Sequence, residues 1–377
     1  MKFKVQNDVL QKALAKIYPA IPGKIASGAL DNFAIQMTKT HASITASDGK
    51  IILKTEIEIS ADSEINFLVE AKKFFETLKT IKESNLSFEL EQLNDENYLL
   101  KLKTTSGEYE YQALSFEKYN ELPSFEFEEK YEKIAIDGSF IKRAIDKTIF
   151  AVAKDDLKPQ FNGINFDFKE ESLNVVATDA HKLVLLKNLS VSTKETKNFL
   201  LPEKSAIILQ KIVEETPVEI LFWKSFLGFK FDNVEFYSRV LGEKFPNYNN
   251  VIPMENDNKL KINSTSILDV VKRMIVFSSE SVFRIKFSLG EDKLTLSTQD
   301  ITSGAKAVES LPCEYSGDKF EIGFNAHFLH EILSRLSEYE EIVFNFYSPT
   351  KAVIITPSQQ KENEHLLMLL MPVRLTD

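Results

Sequence analysis

Two stretches of this chain, residues 114–123 and 242–253, close on the same phrase: LSFEKYNELP and GEKFPNYNNVIP. Each reads aromatic, two residues, tyrosine, a short polar run, an apolar residue and proline. A chain that writes one ending twice is built from a repeated unit. A repeat constrains architecture more than composition does, because each copy carries the same apolar faces to be covered in the same way.

The units can be read between the endings. NDVLQKALAKIY, GSFIKRAIDKTIFAVA and STSILDVVKRMIVF each show helical spacing. It falls on Val9, Leu10, Ala13, Leu14 and Ile17, on Phe140, Ile141, Ala144, Ile145 and Thr148, and on Ile267, Leu268, Val271 and Met274. Asn7, Ser139 and Ser264 or Ser266 are suitable caps. Each helix precedes an alternating hairpin that runs into a polar turn, reaching Asp48, Asp179 and Gln299. A short strand and a second helix follow, in INFLVEAKKFFETLKTI, KNFLLPEKSAIILQKIV and DKFEIGFNAHFLHEILSRL. Then come two strands, LSFELEQ and YLLKLKT in the first copy, and a last strand that leads into the closing phrase. The third copy ends in LLMLLMPVRL instead. The expected fold is therefore α+β, three repeated β-rich domains with two helices each, at 1–125, 130–253 and 256–377. SFEFEEKYEK and MENDNK read as charged connectors.

Charge is segregated. The net charge is -10, which alone argues against a nucleic-acid partner. The six helical segments, taken as 9–18, 71–82, 139–154, 203–212, 267–275 and 327–336, hold fifteen basic and five acidic residues. They carry +10 and leave -20 elsewhere. Glu forms helices as well as Lys does, yet it is scarce in these segments. A basic surface including Lys12, Lys16, Lys72, Lys73, Lys79, Arg143, Lys147, Lys204 and Arg273 suits a polyanion met without base readout.

Catalytic patterns are missing. The chain has no GxxxxGK[ST], no GxGxxG after a strand, no HExxH and no GxSxG. His327 and His330 lie three apart on a helix with no cysteine nearby, and read as surface residues rather than as a metal site. Cys313 is the only cysteine, which rules out an intrachain disulfide and fits a reducing cytoplasm. No apolar run is long enough to span a bilayer. Asp48 and Asp179 read as turn residues. We expect a non-enzyme without metal or cofactor.

The segments MKFKV, AKKFFETL, NGINFDF, VVATDAHKLVLL, KFPNYNNVIP, EIGFNAHFLHEIL and LLMPVRL run in order along the whole chain. Through them the chain resembles the bacterial DNA polymerase III β subunit, the replication sliding clamp. The resemblance implies the DNA clamp fold and a head-to-tail homodimer forming a six-domain ring with helices lining the channel. It implies a processivity factor that encircles double-stranded DNA whatever its sequence. The implied partners are the replicative polymerase α subunit, the clamp loader, and repair and translesion polymerases. An enzyme with an interdomain site and a repeat-built scaffold are the rival classes, and no motif favours either.

The resemblance also implies sites. Lys24, Lys72, Lys73, Lys154, Lys158, Lys204, Arg143 and Lys147 would face DNA, with the loop KDDLKPQ at 154–160 among the contacts. A partner-peptide cleft between the second and third domains would take Phe161, Thr178, Ala180, His181, Lys182 and Leu183 from one region. Pro246, Asn250 and Val251 would come from the closing phrase, Phe328 and Ala352 from the third domain. Leu370, Met371, Pro372, Val373 and Arg374 would complete it. The dimer contact would bring Tyr111 to Val276 and Phe277. Several positions depart from the family pattern. Ala180 and Lys182 stand where many members have Gly and Arg, and Asn250 replaces a basic residue of some. Pro159 and Gln160 lie in the DNA loop, and Thr376 and Asp377 extend the end.

Overall fold

The computed structural model describes residues 1–377 except 24–27, 120–132, 156, 195, 224, 254, 280–282, 291 and 376–377. Its elements repeat three times in a common order: strand, helix, three strands, a further strand, helix, three strands, with a short extra strand, Ser60–Ala61 or Glu314–Ser316, ahead of the further strand in the first and third repeats. The helices are α1 (Asn7–Ile17), α2 (Ala71–Thr80), α3 (Gly138–Thr148), α4 (Glu203–Ile212), α5 (Ser264–Phe277) and α6 (Ala326–Leu336). Each odd helix follows directly on a strand whose last residue is polar. That residue does the capping expected of the serines: Asp137 Oδ1 accepts from Ser139 N at 2.8 Å, and Asn263 Oδ1 from Ser266 N at 2.9 Å. Asn7 lies inside α1, and its amide donates to Ile81 O and Glu83 O instead. Gly138 is needed where α3 begins, because a Cβ there would lie 2.1 Å from Glu214 O.

The helix expected over 139–154 stops at Thr148. Thr148 Oγ1 donates back to Ala144 O at 2.6 Å, and one 3-10 turn, Ile149–Ala151, follows. Lys154 therefore lies off the helix. Within the observed bounds the six helices still hold thirteen basic against six acidic residues. The third hairpin turn, expected at Gln299, is held by Asp300, which accepts from Thr302 N and Ser303 Oγ.

The chain forms two compact units, and the strands divide with them. The first, Met1–Lys142 with Ile207–Val240, holds a thirteen-stranded antiparallel sheet. In it Val234–Arg239 pairs with Ile51–Glu58, with Tyr237 opposite Ile52. Phe33, Phe67, Phe74 and Phe88 are fully buried beneath the helices of this unit. The second unit, Arg143–Ala206 with Leu241–Asp377, holds a nine-stranded and a four-stranded sheet. In it Lys182–Asn188 pairs with Glu364–Leu370 over seven residues, from Lys182 opposite Leu370 to Asn188 opposite Glu364. Its fully buried rings include Phe166, Phe168, Phe287, Phe324 and Phe344. Each such ring contributes about 1.5–3 kcal/mol of apolar burial.

The two closing phrases are anchored differently. Tyr248 is buried, donates to Asp167 Oδ2 at 2.6 Å and accepts from Asn174 Nδ2 at 2.7 Å. Tyr119 is buried against Ala34 and Leu68, and its hydroxyl has no partner among the described residues. Burial pushes the Tyr119 phenol well above its ordinary pKa.

Candidate functional site

Three segments far apart in sequence converge in the second unit. The first is the turn after the strand Ser172–Thr178. Asp179 Oδ1 accepts from His181 N at 2.8 Å and Lys182 N at 2.9 Å, and Thr178 Oγ1 from Ala180 N at 3.1 Å. These bonds hold Ala180 at a φ of 74°, the left-handed region that disfavours a Cβ. The second segment is α6. His181 stacks on Phe328, and the Lys182 side chain runs into the space between turn and helix. Lys182 is 4% exposed, with its ammonium 2.5 Å from Asp179 and 3.1 Å from Glu331. The third segment is the chain end. Met371 N donates to His181 O and Val373 N to Gly323 O, while Arg374 O accepts from Arg284.

Beneath this lies an apolar floor of Val176, Leu183, Leu185, Leu200, Leu367 and Leu369, covered by Phe245 and Tyr248 of the closing phrase. Phe161 meets Phe245 edge-on at 6.5 Å. Beside it opens a cavity of about 660 Å³ lined by Asn250, Val251, Ala352 and Met371, and also by Tyr347, Thr350 and Lys351. Val251, Tyr347 and Met371 are 55%, 51% and 41% exposed there. The structure thus gathers Thr178, Ala180, His181, Lys182, Leu183 and Phe328 about one turn, and Asn250, Val251, Ala352 and Met371 about one cavity. Tyr347 escaped the sequence reading. Its sequence signal is a large ring at the end of the strand Glu341–Phe346, where a polar residue would suit the turn. Chemically the region offers apolar recesses, a cation already neutralised and few free polar groups. It can hold a short apolar peptide.

The basic residues divide. Lys72, Lys73, Lys154, Lys158 and Lys204 are exposed, Lys73 pairing with Glu70 at 3.4 Å and Lys154 with Glu203 at 3.6 Å. Lys24 lies outside the described residues. Arg143 and Lys147 do not fit the DNA-facing role. Arg143 forms a two-point pair with Glu364. Lys147 is 4% exposed, donates to Arg335 O near the C-terminus of α6 and pairs with Glu338 at 3.1 Å. Burial pushes the Glu338 carboxyl up, but Lys147, with smaller help from Lys361 and Tyr339, brings the pKa below the ordinary range. Charges so matched and covered have little left for phosphate. The helical spacing of Lys147 with Phe140 and Ala144 carries this signal, since all three share one face.

Val276 and Phe277 at the end of α5 are 80% and 41% exposed. Tyr111 is not presented in the same way: it is 8% exposed and packs edge-on against Phe74 at 5.4 Å. Tyr109, two residues earlier on the same face at the open end of the strand, is the exposed ring. His327 meets the Phe283 ring edge-on at 4.3 Å. Among the described residues no helix is long and apolar enough to cross a membrane.

Family models for the DNA polymerase III beta subunit match throughout. The N-terminal domain model matches residues 1–123, the central 135–247 and the C-terminal 249–374. The chain is 25% identical over 390 residues to the beta sliding clamp of Bacillus subtilis, covering 99% of this chain and 100% of that one. It is 23% identical to the beta sliding clamp of Haemophilus influenzae, covering 89% and 90%. Crystal structures of the B. subtilis DNA polymerase sliding clamp and of the Pseudomonas aeruginosa DNA polymerase III subunit beta share its fold. Both superpose with a TM-score of 0.90 over 100% of both chains, at 24% and 21% identity.

Proposed function

Because the chain belongs to the DNA polymerase III beta-subunit family and is a non-catalytic sliding clamp of DNA replication that works with DNA and polymerase, we propose that two copies join head to tail into a closed six-domain ring around double-stranded DNA. Its domains are 1–125, 130–253 and 256–377, a division supported by the three family segments.

The observation that carries the ring is a rule of strand pairing. Both joints within the chain pair the third strand after an odd helix with the last strand of the next repeat. One strand of each kind is left over. Lys306–Pro312 is an edge of the four-stranded sheet, with Val276, Phe277 and Val308 exposed on the same repeat. In the strand Glu108–Ser115, residues 108–112 pair on one side alone. The rule pairs these two edges between copies, and such a head-to-tail contact makes a ring when its rotation closes. Val276 and Phe277 then meet Tyr109 and the rim of Tyr111.

Lys24, Lys72, Lys73, Lys154, Lys158 and Lys204 make the phosphate contacts, weak enough to slide and blind to sequence. The cleft of the second unit receives short apolar peptides of the polymerase α subunit, clamp loader, and repair and translesion polymerases. The work is done in the cytoplasm, where bacterial DNA is copied.

The test is topological. Protein loaded on nicked circular plasmid is expected to co-elute with it through gel filtration at moderate salt and to be shed when the plasmid is cut once. Equal retention on circular and linear DNA would count against encirclement.

A further inference from the structure

The two joints within the chain share a charge pair. The tenth residue of every odd helix is basic: Lys16 in α1, Lys147 in α3 and Arg273 in α5. Three residues before the strand that follows each even helix stand Lys82, Glu214 and Glu338. Backbone bonds mark these three positions as equivalent. The N–H that opens each odd helix donates to the carbonyl two residues further on: Asn7 to Ser84, Gly138 to Thr216, Ser264 to Glu340. At each joint within the chain the base of one repeat meets the acid of the next, Lys16 with Glu214 at 2.7 Å and Lys147 with Glu338 at 3.1 Å. A second cation acts on each carboxylate, Lys142 on Glu214 and Lys361 on Glu338.

The third set breaks the pattern. The place of the acid is taken by Lys82, which is exposed. Arg273 instead finds a carboxylate in its own repeat, Glu309, through two bonds of 2.8 and 2.6 Å. Glu309 stands on the open edge strand Lys306–Pro312, opposite Leu296, the fourth residue of its neighbouring strand. The same register position in the other repeats is Thr55, opposite Ile44, and Leu186, opposite Val175. Both lie on joint strands and are buried. Glu309 therefore occupies a place that becomes covered when its joint closes.

We propose that when two copies meet, Lys82 of one completes a charge cluster with Glu309 and Arg273 of the other, so that the carboxylate of this joint comes from the opposite side to that of the joints within the chain. The inference rests on the head-to-tail reading above. It gives each of the three joints one carboxylate between two cations. It also makes Glu309 the member that cannot be spared: without it, Arg273 and Lys82 face each other uncompensated in a covered site.

The test is a charge swap in the full-length protein, read by sedimentation and subunit exchange, with thermal unfolding as the check on folding. Glu309→Gln is expected to raise the dimer dissociation constant about tenfold or more. Adding Lys82→Glu is expected to bring it back to within about threefold of the starting value, because Arg273 then meets a carboxylate where Glu214 and Glu338 stand. Should Glu309→Gln unfold early, Lys82→Gln carries the same test at an exposed side chain, and weaker dimerisation is expected. Unchanged dimerisation in the single variants, or no rescue in the double, overturns the inference. Unsubstituted protein that stays monomeric at every concentration overturns the head-to-tail reading itself, and so is told apart from either result.

Discussion

His181 lies nearly flat on Phe328, with ring centroids 5.7 Å apart and planes 24° from parallel, while the Lys182 ammonium sits 4.3 Å from the centre of the same ring. One aromatic side chain of α6 thus braces two consecutive residues of the turn. Such stacking and cation–π contact is worth about 1–2 kcal/mol when water is kept away. Phe328→Ala is expected to cut the affinity for a polymerase-derived peptide about tenfold by fluorescence anisotropy while the fold survives. Affinity unchanged in a folded variant would remove this turn from the docking region.

Ala180 holds φ at 74° although it carries a Cβ. Ala180→Gly relieves that strain and is expected to stabilise the protein by about 0.5–1 kcal/mol, seen as a higher urea midpoint with the same slope. Ala180→Val, with a branched Cβ in the same region, is expected to lower the midpoint.

Lys147 and Lys72 are both helix lysines with opposite expected behaviour. Lys147→Met leaves Arg335 O without this donor and Glu338 without its ion-pair partner at 3.1 Å, and is expected to cost about 2–3 kcal/mol in stability with DNA retention unchanged. Lys72→Glu is expected to leave the melting temperature alone and weaken DNA association, with a salt slope smaller by about one. The reverse pattern would show that Lys147 reaches DNA.

His330 is held below histidine's ordinary 6.5 by burial first, then by the charges of Lys272 and His327, with Glu331 opposing. The unfolded chain therefore takes up the proton before the folded one. Stability from this group is full above 6.5, falls as pH drops through 6.5, and stops falling below the depressed folded value. Denaturant titrations from pH 8 to 5 are expected to show a decline that His330→Gln flattens. An identical decline in the variant would assign it to other groups.

Phe277→Asp puts a carboxylate on a ring that is exposed in one copy and expected to be covered in two. Monomers are expected by sedimentation, with an unchanged circular dichroism spectrum. A dimer of unchanged stability would move the joint elsewhere.

Much of this was legible in the sequence, for physical reasons. Helical and strand periods are set by burial, so α1 to α6 and their hairpins could be read from spacing alone. Helix starts were displaced by a residue or two, since Ser139 and Ser264 look like caps while Asp137 and Asn263 make the bonds. The cleft came from family likeness rather than from spacing, because its parts lie on three distant segments that only the sheet pairing of Lys182–Asn188 with Glu364–Leu370 brings together. Lys147 was misjudged because the sign of a charge does not say whether it is wet. Spacing alone did not show that strand alternation turns Tyr111 toward Phe74 within one copy and leaves Tyr109 as the exposed ring of the same face. The exchange of Glu for Lys at position 82 has meaning only once the register of the repeats is known.

The seven-residue pairing of Lys182–Asn188 with Glu364–Leu370 has a consequence for synthesis. Leu370 leaves the ribosome 188 residues after Lys182, a delay of about 10–40 s at 5–20 residues per second. Through that interval the nascent chain carries the strand Lys182–Asn188 with one side unpaired and rich in leucine. Such an edge invites pairing with the same strand of a neighbouring chain on the polysome. Slowing translation of the last repeat should therefore raise the insoluble fraction, even with the finished sequence unchanged.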